Sequence, residues 1–205
     1  MDSQNKLPEI RLVYGWHLDM AFKALLEKIP ENEKVGQEIE DSEDVEKKIP
    51  LYLEEWKKEE QVILGAMCEI LGLSFYPKNI EVYICGAHKK AFSNPLVISS
   101  KCPVHFFVDL LTHELLHVLL IDNNKKIDVV PIFKEMFPEA IDRTSRNHVL
   151  VHAVHKEIYL TILNSPERLA RNIEKHKKWK GYEDAWNIVE KRGHANIINE
   201  FKTHY

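Results

Sequence analysis

A chain of 205 residues with 44% hydrophobic and 29% charged side chains is long enough to bury a real core, and it reads as one domain with a helical appendage. Its formal net charge of −4 combines an acidic start, 9 basic against 16 acidic side chains over residues 1–60, with a mildly basic end, 9 against 6 over residues 164–205; neither balance demands nucleic acid or a membrane surface. Cys68, Cys85 and Cys102 are scattered without CxxC spacing, which argues against a disulfide framework and for a reducing compartment.

Met1-Asp2-Ser3-Gln4-Asn5-Lys6 lacks the apolar core of a secretory signal, so a cytoplasmic location is expected. Residues 9–15 have the alternation and β-rich composition of a strand, and residues 18–29 change to helical spacing before Pro30 stops them. Residues 31–42 are acidic and read as a solvated loop. From Ser42 a helix starts, breaks at Pro50 and resumes to Leu71, with Trp56, Ile63, Met67 and Ile70 on one core-facing stripe and Gly72 as its stop.

Two strand signals follow. In residues 79–85, Ile80, Val82 and Ile84 point inward while Glu81 and Tyr83 point outward. Residues 94–99 form a shorter run opened by Pro95, which cannot donate to a ladder and so marks an edge strand. Residues 103–121 then form one helix, apolar almost all round, with Pro103 in its first turn. Its longest apolar stretch is interrupted by Asp109, His113, Glu114 and His117, so no membrane span is expected. After a polar loop, residues 129–137 make a short helix closed by Pro138. A longer helix begins with Thr144 or Ser145 as its cap and runs to about Leu163. Residues 166–205 read as two or three short helices punctuated by Gly181 and Gly193, with Trp179, Trp186, Ile188, Ile197, Ile198 and Phe201 as apolar contacts.

The chemistry is concentrated in Thr112-His113-Glu114-Leu115-Leu116-His117. Residues four apart on a helix lie one above the other, so His113 and His117 can grip one metal ion with Glu114 beside them. No Lys or Arg occurs between Lys101 and Lys125 to pair with this carboxylate along the helix, and burying it unpaired costs several kcal/mol. A catalytic zinc site takes three protein ligands, so a third must come from elsewhere. The next positions of the best-known extended motif fail, because Leu120 stands where a glycine is needed and Asn123 where a histidine is needed. The later helix offers His148, His152 and His155 at i, i+4 and i+7, on one face of an apolar segment. His148 or His152 is the expected third ligand, with His155 or Glu157 as alternatives.

These features resemble the zincin metallopeptidases over residues 80–160. The string Asn147-His148-x-x-x-His152 is similar in placement to the Asn-Glu-x-x-x-Asp of thermolysin-like gluzincins, and SprT-like proteases similarly take a histidine ligand from a downstream segment. The resemblance implies an α+β fold: a small mixed sheet with an edge strand packed on the HExxH helix, and several further helices. Residues 1–163 would form that domain and 164–205 its appendage. It also implies Zn²⁺ held by His113, His117 and either His148 or His152, with Glu114 as general base. His152, His155 and Tyr159 would be candidates to stabilise the oxyanion. A peptide or protein substrate would pair with the strand Leu96–Ser99.

Two other readings stand beside hydrolysis. A zincin-fold scaffold could bind zinc without turnover, although a purely structural site has no need of Glu114. A SprT-like association with nucleic acid could use Arg168, Arg171, Lys175, Lys177, Lys178 and Lys180, but Glu174, Glu183 and Glu190 dilute that patch, so nucleic acid is not the expected partner.

Overall fold

Alternating burial sets the sheet. In β1 (Glu9–Tyr14) Ile10 is buried between exposed Glu9 and Arg11, and in β2 (Asn79–Cys85) Ile80, Val82 and Ile84 are buried while Glu81 is exposed. The two strands run parallel with Ile10 opposite Ile80 and Leu12 opposite Val82. A parallel pair needs a long connection, and two helices lie between them in sequence: α1 (Trp16–Glu27) and α2 (Ser42–Leu71). The computed structural model describes residues 7–29 and 39–205; most of the acidic stretch expected as a loop, and Pro30, lie outside the described residues.

The sheet corrects one expectation. β4 (Leu96–Ser99) is not at an edge: the strand order is β1-β2-β4-β3, with β4 parallel to β2 and the two-residue β3 (Phe92–Ser93) antiparallel on its other side. Pro95 still avoids the ladder, because it sits in the turn joining β3 to β4, where its missing N–H costs no bond. Two residues were too few to show as a strand in the sequence pattern.

The expected break at Pro50 is absent as well. α2 continues through Pro50, which is exposed, as is Glu46 one turn back, whose carbonyl Pro50 cannot satisfy. Further along, the buried Tyr52 hydroxyl shares its proton between the carbonyls of Ser100 (2.7 Å) and Cys102 (2.6 Å), and its ring stacks on Phe107 with centroids 4.2 Å apart. The Trp56 indole donates to buried Glu60 (3.1 Å), whose other oxygen pairs with Lys57 (2.6 Å). α1 is fastened by Asp19, a buried carboxylate that accepts from the backbone N–H groups of Gly86 and Ala87 at 2.9 Å each. Gly15 lets the end of β1 pass close to β2: a Cβ there would come within 2.7 Å of the Cys85 sulfur.

The chain divides into two compact units, Met1–Glu60 with Pro77–Val118 and Gln61–Tyr76 with Leu119–Tyr205. The first holds the sheet. The second is helical: besides the end of α2 it contains α4 (Val129–Met136), α5 (Arg143–Glu157), a π-helical turn (Ile158–Ile162), α6 (Pro166–His176), α7 (Lys180–Arg192) and α8 (His194–Lys202). α5 is capped two or three residues earlier than expected, by Asp142, whose carboxylate accepts from Ser145 N at 2.7 Å. Gly181 brings α7 onto the start of α5, since a Cβ there would lie 3.0 Å from the Thr144 side chain. The Ser145 hydroxyl then donates to Asp184 of α7.

With its eight α-helices and small mixed four-stranded sheet, the described protein is α+β. Among the described residues α3 (Val104–Asp122) alone is long and apolar enough to cross a membrane, with mean hydropathy 1.6, and 67% of that window is buried inside the protein. Burial of a helix that is apolar all round is what a core helix shows.

Candidate metal centre

The core position of α3 determines what its polar side chains must do. Phe107, Leu111, Leu115, Leu116 and Leu119 are fully buried around it, and the Thr112 hydroxyl satisfies itself on the carbonyl of Val108 (2.7 Å). His113 is buried and His117 half-buried, their rings one turn apart with centroids at 5.1 Å. Glu114 is 7% exposed, and burial alone pushes its carboxyl up to about 7.

His148 lies on α5. Its Nδ1 lies 2.6 Å from the carbonyl oxygen of Thr144, which can only accept. The ring proton therefore sits on Nδ1, which makes Nε2 the nitrogen with the lone pair a metal would need. Burial lowers the His148 pKa, which favours the neutral form that a metal ligand must have. The Tyr182 ring lies against it, centroids 4.1 Å apart, and limits its rotation.

His113, His117 and His148 each offer one ligand atom, and these atoms all lie within 4.8 Å of one another. Three imidazoles, with a buried carboxyl on the helix that carries two of them, form a donor set that suits a divalent transition metal.

The other expected residues stand outside that trio, with the His152 ring 5.7 Å from the ring of His148. His152 is fully buried and outside that group; its ring is stacked on Trp186 (4.3 Å) and on His176 (5.2 Å), both nearly parallel at 13°. His155 is fully buried, and its pKa is pushed down to about 3, first by burial and then by His176 and Arg168. Its ring lies 4.6 Å from Tyr159, which is also buried and carries the Arg168 guanidinium 5.1 Å over its ring. Glu157 faces His194, with 2.9 Å between Oε2 and Nε2.

Sequence reasoning missed Tyr182 and His176. The Trp186 indole donates to His176 Nδ1 (3.2 Å), so the His176 proton is on Nε2. Trp186 was legible only as an apolar contact, and nothing in the spacing of residues 176, 182 and 186 pointed to the histidine helix. No protein-family model, no curated protein and no solved structure matches this chain.

Proposed function

We propose that the protein is a zinc-dependent peptidase that hydrolyses peptide bonds with Glu114 as general base. The observation that carries this reading is the gathering of His113, His117 and His148, with buried Glu114 next to His113 in the chain. A divalent ion bound by the three histidines would supply a Lewis acid that polarises the scissile carbonyl and acidifies a water molecule. Glu114 takes the proton of the attacking water and passes it to the leaving amine. A carboxyl held near neutrality suits both halves of that exchange. Thr144 and Tyr182 keep His148 in one tautomer and one orientation.

Zinc binding without turnover gives no reason for a carboxyl at position 114, buried at a cost and serving no structural partner in its own helix. Nucleic-acid binding gains little support from α6 and its C-cap, where Lys177 pairs with Glu174 (2.7 Å) and Arg168 lies over Tyr159.

The test is hydrolysis of a pool of quenched fluorogenic peptides of mixed sequence. Cleavage is expected with stoichiometric zinc, falling to background after dialysis against a chelator and returning when zinc is added back. Cleavage that persists in chelator would overturn the metal-dependent reading.

A further inference from the structure

In the first unit, β2 is paired unevenly. On one side β1 accompanies it from Asn79 to Ile84; on the other, β4 joins only at Tyr83, Ile84 and Cys85. Among the described residues no strand pairs with residues 79–82 on that second side. A groove of about 440 Å³ opens there, within the range of roughly 300–1,000 Å³ that ligand sites occupy. Buried Ile80, Leu96 and Val118 give it an apolar wall, and exposed Pro95, Arg11 and Glu81 with half-buried Tyr83 stand at its rim.

Val118 connects this groove to the site. It lies four residues after Glu114 on α3, so the two side chains are neighbours on one stripe, with Cβ atoms about 5–6 Å apart. The groove therefore begins one helical turn from the general base.

The charges on the rim are unequal. Arg11 is occupied by Glu9, with 2.8 Å between Nη2 and Oε2. Exposed Glu81 accepts a hydrogen bond from the Tyr83 hydroxyl (2.7 Å), and among the described residues it has no ion pair. Arg11 also stands opposite Glu81 in the register and attracts it through space, but Glu81 remains the lining carboxylate without a contact ion pair. A long basic side chain fits both features, with an aliphatic stem for the apolar wall and a cationic head for Glu81.

We propose that this groove is a substrate subsite that takes an extended peptide segment as a short strand beside residues 79–82 and selects a lysine or arginine side chain through Glu81. Its role as a substrate subsite rests on the peptidase reading. An unpaired strand flank supplies backbone hydrogen bonds that are indifferent to sequence, and the rim supplies the choice.

The test measures binding, with cleavage blocked. Fluorescein-labelled alanine-rich hexapeptides carrying a single Lys, Glu or Leu are titrated against the zinc-loaded Glu114→Gln protein, and anisotropy is read. The lysine peptide is expected to bind tightest. Glu81→Gln should weaken it about five- to tenfold, and Glu81→Lys should reverse the preference toward the glutamate peptide. N-methylation of the peptide backbone should weaken all three. Thermal melts of the Glu81 variants should match the parent, since Glu81 is exposed. Equal binding of the three peptides, or a lysine preference that survives Glu81→Lys, would overturn the subsite. A lysine preference that depends on Glu81, in a protein that cleaves nothing with any metal, would uphold the groove and remove the peptidase reading. Efficient cleavage by Glu81→Lys with unchanged preference would do the reverse.

Discussion

Glu114→Gln is expected to keep its metal and to lose peptide hydrolysis by about 10²- to 10⁴-fold, the range that general acid–base catalysis supplies. The side chain is 7% exposed, and the amide has nearly the same shape as the acid, so the helix can accept it without repacking. What the amide cannot do is accept a proton. The loss should therefore appear in kcat, while zinc content and melting temperature stay close to those of the parent. Because burial holds the carboxyl up to about 7, the exchange removes a group that is costly to ionise where it stands, and no large fall in stability is expected. Turnover near the wild-type rate would remove Glu114 from the mechanism.

The second large effect separates two histidines that sequence spacing could not separate. His148→Ala should lower zinc affinity by at least about 100-fold, because removing a ligand should cost more than the 10–100-fold typical of losing a supporting partner. His152→Ala should hold zinc within about tenfold of the parent. Its effect should be on stability instead: the imidazole is fully buried and stacked on Trp186 and His176, and removing such a ring costs about 2–4 kcal/mol. Zinc titration against a chromophoric competitor reads the first, and thermal unfolding of the metal-free proteins reads the second. Loss of zinc by His152→Ala with retention by His148→Ala would transfer the ligand to position 152.

The ambiguity between positions 148 and 152 has a physical origin. Residues one turn apart share a helix face, so periodicity gave both histidines equal standing. What distinguishes them is α7: Tyr182 lies over His148, and Trp186 takes up the face of His152. That helix belongs to the stretch expected as an appendage, and its aromatic residues carried no spacing signal toward α5. The motif on α3 was legible because the i, i+4 requirement of a metal is also the repeat of the helix.

Local patterns carried β1, β2 and the long helices as well. They failed at Pro50, where a solvent-facing position let the helix continue, and at β3, whose two residues hold their place only through pairing with β4. That pairing moved β4 from edge to interior. The unpaired flank of the sheet then fell beside residues 79–82, a consequence of register that no single strand's composition could reveal.

The central claim is that His113, His117 and His148 form a metal site, and elemental analysis of the purified wild-type chain tests it most directly. Close to one zinc per chain is expected, either as purified or after loading and desalting. A chain that retains no metal after loading with zinc would mean that the histidines of α3 and α5 are packed core side chains, and the account of the site would fall with them.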